Sequence, residues 1–277
     1  MPSYRKKHIK SKIHRVKQKK SIVKKKWVWF LVLFIAFLSS ALYFLLFYPG
    51  VQVSNIIISG NQKVKTDSLK NLVLTNSNTS LIEFGIFKLS TNSIFFANID
   101  KINEEILKSF PGIEKTEANK EFPKTIILKL AERKPMGVYC TNGNFACFFI
   151  DENGVIFESV NVPAENFMLV KQLISDSNLY IGEEAVNSNI SMIISKIQKN
   201  LQDNFQINLY EALVSSPNRL DVTTIEGWKI YFNIDSNSNI DSQLLKLDLL
   251  LKEEISPKSR GALQYIDLRF KDRAFYK

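Results

Sequence analysis

The sequence predicts an α+β protein: one transmembrane helix, then a small β-α-α-β-β domain, then a C-terminal mixed β domain with two helices. Residues 27–48 form an uncharged run of 22 residues. Residues 51–132 follow with strand-like and helical apolar patterns in the five-element order given above. Residues 133–277 contain mostly strand-like runs, and two amphipathic stretches of helical period lie among them.

The apolar run 27–48 is long enough to cross a bilayer. At about 1.5 Å per residue it makes about 33 Å of helix, which matches a hydrocarbon core of about 30 Å. Trp27 and Trp29 lie at one end, and Tyr43 and Tyr48 lie toward the other, as interfacial aromatic residues do. A cleavable signal peptide would have a shorter apolar region and a small-x-small site. We therefore expect a single-pass signal anchor.

The formal charge of +10 is concentrated in the tail before this run. Residues 1–26 contain twelve Lys or Arg and no Asp or Glu, which leaves 25 basic and 27 acidic residues elsewhere. Such a tail binds nucleic acid or anionic lipid, or it stays on the cytoplasmic side of a membrane by the positive-inside rule. Because the apolar run follows directly, we favour the second interpretation, in which the tail sets the orientation of the protein in the membrane. We therefore predict that the protein associates with a membrane and has no specific nucleic-acid partner. Residues 49–277 are then extracytoplasmic.

The exterior part offers no pattern of catalytic or metal-ligating residues. Both histidines, His8 and His14, lie in the basic tail, which excludes His-dependent nucleophiles and His-based zinc sites from residues 49–277. The carboxylates of residues 151–154 are explained better by a hairpin turn than by acid–base chemistry. We therefore predict no enzyme, no metal and no cofactor.

Cys140 and Cys147 are the two cysteines of the chain. A two-residue turn at 143–144 would place them opposite each other, and in an oxidising exterior they would then form a disulfide. A turn at 142–143 is equally plausible and would not pair them. The residues therefore allow both a disulfide and two unpaired cysteines.

The first exterior domain is predicted over residues 51–132. Thr66-Asp67 and then Asn98 or Asp100 are candidate helix caps. Residues 75–93 are rich in Ser, Thr and Asn and predict a loop around a short apolar patch at 82–89. The regular elements are predicted as strand 51–59, a short helix after residue 66, helix 102–110, and strands 113–121 and 125–132.

The second domain is predicted over residues 133–277, and Arg133-Lys134-Pro135 marks its start. An interdomain ion pair and a solvated strand end are both compatible with Glu132-Arg133. The predicted strands are 136–141, 145–151, 155–157, 207–215, 219–224, 228–234 and 263–275, and the predicted helices are 187–201 and 241–254.

The last residues of the sequence, 264–277, alternate like a strand. Ile266, Leu268 and Phe270 fall on one face, and Asp267 and Arg269 fall on the other. We expect this closing strand at a sheet edge, where it would offer unpaired N–H and C=O groups to another chain. Asp267 and Arg269 form either a surface ion pair or a pair that orients the edge.

Five motifs follow one another along the exterior part. They are VSNIIISGNQKVKTDSLK (53–70), SIFFANID (93–100), FPKTIILKLAERKPMGVY (122–139), FFIDENGVIFE (148–158) and YIDLRF (265–270). In this order, behind a basic tail and one transmembrane helix, they resemble the FtsQ/DivIB family of bacterial cell-division proteins. The β-α-α-β-β unit is similar to the POTRA domain of that family.

The resemblance implies a non-enzymatic divisome scaffold in the bacterial inner membrane, with its N-terminus cytoplasmic and its C-terminus periplasmic, at the septum. The implied partners are FtsB/DivIC-like and FtsL-like single-pass proteins and other divisome proteins. In the family an FtsB-like strand adds to the last strands of the β domain. Carried over to this sequence, the implied partner-binding residues are Leu268, Arg269, Phe270, Asp272, Phe275 and Tyr276.

Two consequences of the resemblance are expectations about this particular chain. Because the sequence ends at Lys277, contacts that longer members make beyond this strand are expected to be missing. Replacing Phe270 or placing a proline at Arg269 is expected to weaken capture of the FtsB-like partner while leaving the fold intact. The alternatives are a POTRA-containing export or assembly factor anchored in the membrane, and an exported enzyme acting on peptidoglycan; neither shows its expected sequence features.

Overall fold

A computed structural model describes residues 25–84, 87–141, 146–161, 167–173 and 179–277. The first helix, α1 (Lys26–Phe47), is long and apolar enough to cross a membrane, as predicted. A short 3-10 turn, Pro49–Val51, connects it to the first domain. The basic tail lies outside the described residues except for Lys25 and Lys26.

The first domain packs two helices on a three-stranded sheet. The sheet order is β1-β5-β4, with β1 parallel and β4 antiparallel to β5. One core holds the inward residues of sheet and helices, including Ile126, Leu128, Val73 and Ile106. The elements are β1 (Asn55–Ser59), α2 (Thr66–Ser77), β2 (Thr79–Phe84), β3 (Phe87–Thr91), α3 (Ile99–Ser109), β4 (Ile113–Glu121) and β5 (Thr125–Glu132).

The strands β4 and β5 and one helix cap confirm the sequence predictions. The Asn98 side chain accepts a hydrogen bond from the N–H of Lys101, 3.1 Å away, and caps α3. The predicted cap of α2 at Thr66-Asp67 is wrong, because Thr66 is already helical and Lys65 is at the N-cap position. The first strand begins at Asn55 rather than at residue 51, since the 3-10 turn occupies Pro49–Val51.

The predicted loop at residues 75–93 is wrong as well. Helix α2 extends to Ser77, and β2 and β3 then pair antiparallel as a separate two-stranded sheet. Thr79 pairs with Thr91 at the base of this hairpin, and Phe84 pairs with Phe87 near its turn. The polar residues that suggested a loop lie mostly at the end of α2 and at the base of the hairpin, where β2 begins and β3 ends.

The second domain is built on a nine-stranded mixed sheet with order β14-β13-β12-β11-β10-β9-β6-β7-β8. Helices α4 (Ser188–Phe205) and α5 (Ile240–Leu249) share a core with the buried face of that sheet. The strands are β6 (Gly137–Cys140), β7 (Cys147–Ile150), β8 (Ile156–Val160), β9 (Met168–Gln172), β10 (Leu209–Ser216), β11 (Arg219–Thr224), β12 (Lys229–Asn233), β13 (Tyr265–Asp267) and β14 (Phe275–Tyr276).

In this domain one strand and the end of one helix differ from the prediction, in addition to the C-terminal strand described below. The strand β9 was not predicted, although it lies in the middle of the sheet and pairs in parallel with both β6 and β10. Its alternating burial, with Met168 and Val170 inside, is the local signal that identifies it. The predicted helix 241–254 is regular only to Leu249, and a π-helical turn, Leu250–Glu254, ends it.

Candidate functional site

The C-terminal residues form two short strands rather than the one predicted strand at 263–275. β13 pairs in parallel with β12, the chain then turns, and β14 returns antiparallel to β13 at the end of the sheet. Tyr265 and Lys277 exchange both backbone hydrogen bonds, at 3.1 and 3.3 Å. The sheet edge is therefore β14, and β13 lies inside the sheet.

Lys246 of α5 holds the segment between the two strands. Its Nζ donates to the carbonyl oxygens of Leu268, Phe270 and Lys271, at 3.3, 2.5 and 3.4 Å. Burial lowers the pKa of Lys246, and the charges of Asp272 and Asp267 oppose that shift only in part. Carbonyls that a bare edge strand would offer to a partner are thus occupied within the chain.

The buried Asp267 and the half-buried Arg269 form a bidentate ion pair. The Arg269 Nε and Nη2 atoms donate to Oδ1 and Oδ2 of Asp267 at 2.9 and 2.6 Å, and the Arg269 N–H donates to Oδ1 at 3.1 Å. Burial raises the pKa of Asp267, but these hydrogen bonds and the charges of Arg269 and Arg219 outweigh it and hold the pKa below its ordinary value. The pair fixes the chain where it leaves β13.

The open face of the sheet next to this pair carries stacked aromatic and guanidinium groups. The guanidinium carbons of Arg219 and Arg269 lie 4.9 and 5.5 Å from the ring centre of Tyr231. The ring of Tyr265 lies 5.8 Å from that of Tyr231. Asp221 holds Arg219 in place, with Nε 2.6 Å from Oδ1. These contacts stabilise β11, β12 and β13, the strands that precede β14 in the sheet order.

Exposed aromatic side chains surround the edge itself. Phe270, Phe275 and Tyr276 each keep nearly half of their surface in contact with solvent. The rings of Phe270 and Phe275 meet edge to face, with centres 5.1 Å apart. Leu268, in contrast, is fully buried in the core, so its side chain is not available to a partner.

In β14, the backbone N–H and C=O groups of Tyr276 point away from the sheet. Since Tyr265 and Lys277 exchange both hydrogen bonds, the neighbouring pair Ile266 and Tyr276 is a non-hydrogen-bonded pair. The N–H and C=O of Tyr276 therefore point to the open side, where no described strand is paired. A groove of about 440 Å³ lies between α5 and the segment after β13, and its lining includes Arg269, Phe270 and Asp272.

Glu132 and Arg133, at the junction of the two domains, bind different parts of the chain. The carboxylate of Glu132 accepts from the N–H groups of residues 62–64 in its own domain, at 2.8 to 3.0 Å. Arg133, the first residue of the second domain, forms an ion pair through its Nη1 with the buried Asp151 of that domain. Its Nε donates to the carbonyl oxygen of Pro111 in the first domain at 3.0 Å. The ion pair of Arg133 therefore lies within the second domain, and its hydrogen bond to Pro111 is what links the two domains there. The interdomain ion pair considered from the sequence is not formed by this pair of residues, because Glu132 binds the backbone of its own domain.

The Sγ atoms of Cys140 and Cys147 lie at bonding distance, 2.07 Å apart, and the two residues are directly opposite in the β6–β7 pairing. The turn between these strands includes residues outside the described part of the chain. Among the residues that the structure describes, no group of three or more His, Cys, Asp or Glu side chains is arranged to hold a metal ion.

Two family models match the chain in sequence order. Residues 51–133 match the FtsQ-type POTRA domain, and residues 138–269 match the C-terminal domain of cell division protein FtsQ/DivIB. The chain belongs to the FtsQ/DivIB family. This family comprises non-enzymatic cell-division proteins. With α1, membership indicates a single-pass membrane protein.

Individual FtsQ/DivIB relatives are distant in sequence. Cell division protein FtsQ of Rickettsia prowazekii (strain Madrid E) is 27% identical over 150 residues, which are 54% of this chain and 46% of the relative. FtsQ of Rickettsia typhi (strain ATCC VR-144 / Wilmington) is 30% identical over 105 residues, 38% of this chain and 34% of the relative. The chain thus spans less than half the length of these Rickettsia relatives.

A further relative covers nearly the whole chain. Cell division protein DivIB of Clostridium botulinum (strain Hall / ATCC 3502 / NCTC 13319 / Type A) is 23% identical over 266 residues, which are 92% of this chain and 91% of the relative. The similarity therefore includes the region of α1 as well as both FtsQ/DivIB domains.

Sequence reasoning on this FtsQ/DivIB member missed the residues that shape the edge. Lys246 and Tyr231 lie far from residues 264–277 in the sequence, so no local pattern connects them to the edge. The turn after β13 had a local signal, because Lys271-Asp272-Arg273 places three charged residues in a row between apolar ones.

Proposed function

We propose that this protein is a divisome scaffold that binds an FtsB/DivIC-like partner, in complex with an FtsL-like protein, along the edge strand β14. The observation that carries the proposal is the Tyr276 backbone, whose N–H and C=O point away from the sheet beside three exposed aromatic side chains. An added strand would gain main-chain hydrogen bonds from this backbone and side-chain contacts from the aromatic rings.

The edge strand β14 is short, and contacts within the chain hold it in place. Lys246 and the Asp267–Arg269 pair hold the chain on either side of the turn, so β14 is ordered before a partner arrives. Pre-ordering reduces the entropy that binding must overcome. The groove between α5 and residues 268–272 gives the partner's side chains a second place to contact.

The proposal also includes the orientation of the protein in the membrane and its location in the cell. By the positive-inside rule the basic tail is cytoplasmic and both domains are extracytoplasmic, with α1 in the inner membrane. The protein would then act at the septum, linking early and late division proteins without catalysis. A fluorescent fusion of the full chain is expected at midcell, and diffuse signal in the envelope of dividing cells would contradict this location.

The decisive experiment places a proline on the outward backbone of β14. Tyr276→Pro removes the outward N–H but leaves the backbone bonds between Tyr265 and Lys277 possible. We expect about tenfold weaker binding of the FtsB/DivIC-like partner from the same genome, because about 1.4 kcal/mol corresponds to tenfold in affinity. Binding is measured with the full-length protein in detergent.

The proline site differs from the one that the sequence predicted. The N–H of Arg269 already donates to Asp267, so a proline there would break an internal bond and loosen the fold. Tyr276→Ala keeps the backbone N–H and separates the contribution of the ring. Tyr180→Ala removes an exposed tyrosine at the far end of the sheet and is the matched control. Wild-type affinity for Tyr276→Pro would contradict the proposal.

A further inference from the structure

The β2–β3 hairpin has one face made of apolar side chains that are exposed in the described structure. Ile82 and Leu89 are directly paired, and Phe84 follows on the same face as Ile82. Phe84 is 81% exposed, Ile82 59% and Leu89 40%. The opposite face carries Glu83 and Lys88, whose charged groups lie 4.0 Å apart. The hairpin is thus amphipathic.

The base of this hairpin is bonded to the end of the membrane helix. The hydroxyl of Thr91, the last residue of β3, donates to the carbonyl of Leu46 at 2.5 Å. The hydroxyl of Ser93 donates to the carbonyl of Leu45 at 2.6 Å, and the Gln52 amide adds a third bond to Leu46 at 2.8 Å. These three side chains satisfy carbonyls that the last helical turn leaves without partners.

These bonds fix the height of the hairpin relative to a bilayer. A helix of 22 residues is about 33 Å long, so a carbonyl in its last turn lies near the boundary of a hydrocarbon core of about 30 Å. The headgroup layer beyond that boundary is several ångströms thick. Thr91 therefore lies within or next to this layer, and the hairpin begins there.

We propose that the apolar face of the β2–β3 hairpin lies on the outer leaflet of the membrane that α1 crosses, with Ile82, Phe84 and Leu89 in contact with lipid. The partner is a lipid surface because the hairpin starts at the helix end, and in water its apolar face would be exposed at an energetic cost. Glu83 and Lys88 then face the aqueous side. The hairpin and α1 together hold the first domain at a fixed orientation on the membrane.

A second exposed aromatic site at the same end of the domain supports this orientation. The rings of Phe95 and Phe122 are in contact, with centres 5.2 Å apart, and both are about half exposed. Phe95 follows Ser93 by two residues, and the Nζ of Lys120 donates to the Phe95 carbonyl at 3.2 Å. Phe side chains next to a lysine are typical of amphipathic elements that lie in the interfacial layer of a membrane.

The test compares neighbouring positions on the two faces of the hairpin. Ile82→Cys and Phe84→Cys place a label on the apolar face, and Glu83→Cys places it on the polar face between them. Each full-length variant is labelled with the environment-sensitive dye NBD without reductant, so that the bond between Cys140 and Cys147 is left intact. The proteins are then reconstituted into phosphatidylcholine–phosphatidylglycerol vesicles that contain lipids with a nitroxide quencher at the top of the acyl chain.

We expect NBD at positions 82 and 84 to lose most of its fluorescence to the quencher, and NBD at position 83 to lose little. Equal quenching on both faces, whether strong or weak, would overturn the proposal. A blue-shifted but unquenched signal at 82 and 84 would overturn it too, because the face would then pack on protein rather than lipid. All three positions are exposed, so the label does not disturb a core.

Discussion

The two edges of the nine-stranded sheet differ in whether the chain covers its own outermost strand. At the start of β8 it does: Gly182 donates to the carbonyl of Ile156 at 2.7 Å, and the N–H of Ile156 donates to Glu183 at 3.0 Å. Val155 also forms a bridge with Glu184. Outside β14 no described residues pair in this way, and the exposed groups are aromatic.

This difference indicates which edge is available to another chain. An uncovered edge strand is an aggregation hazard unless it is short, charged or covered. β14 is two residues long and follows the charged residues Lys271, Asp272 and Arg273, which limits unspecific pairing. A short edge with ordered neighbours is suited to one specific strand, whereas β8 is closed over its first residues by the chain itself.

The largest expected effect comes from opening the β8 edge by Gly154→Ala. Gly154 has a φ of +81°, and an added Cβ would lie 1.8 Å from the carbonyl oxygen of Val186. Val186 belongs to the covering segment, residues 182–186, which bonds to residues 154–156. The backbone must shift to admit it, so we expect a loss of about 3–5 kcal/mol in the free energy of unfolding. Urea unfolding of the full-length protein in detergent, followed by circular dichroism, measures the change.

Gly227→Ala is the matched control for this substitution. Gly227 also has a positive φ, +96°, but an added Cβ meets nothing within 4 Å. The cost there is only that of the backbone conformation, about 1–2 kcal/mol. Equal losses for the two variants would mean that contact with the covering segment does not hold the β8 edge.

The sequence predicted regular elements well where one strand or helix carries its own pattern. β4 and β5 were predicted at their observed bounds, because alternating burial and the break at residues 122–124 are both local features. The alternation at residues 264–277 continues across a turn, so the sequence predicts one strand where the structure has β13 and β14. Nothing local indicates that Lys246 binds the carbonyls of that turn, since this contact forms between distant parts of the chain.

An intermediate effect is expected from Asp267→Asn at the β14 edge. The variant loses the ionic part of the hydrogen bonds with Arg269, so at pH 7 it should be about 1–3 kcal/mol less stable. The pKa of Asp267 in the folded protein is below its ordinary value of 3.8. The stabilisation is therefore complete above pH 3.8 and is lost as the pH falls through the folded pKa.

The measurement is the difference in unfolding free energy between wild type and Asp267→Asn at pH 7 and at successively lower pH. Other carboxylates titrate in both proteins, so the difference isolates Asp267. We expect it to shrink as the pH is lowered. A difference that stays constant down to about pH 2 would mean that the geometry of the side chain, and not its charge, holds the chain after β13.

The smallest effect is expected from the ion pair that connects the first domain to the β8 edge. The Nζ of Lys63 lies 3.1 Å from Oε2 of Glu158, but both side chains are largely exposed to water. Solvent and salt screen such a pair, so Glu158→Gln should cost about 0–1 kcal/mol. A double-mutant cycle with Lys63→Met at low and high salt measures the coupling energy between Lys63 and Glu158.

A coupling energy of about 2 kcal/mol that salt does not change would contradict this expectation. It would mean that the first domain, rather than the segment at residues 182–186, closes the β8 edge.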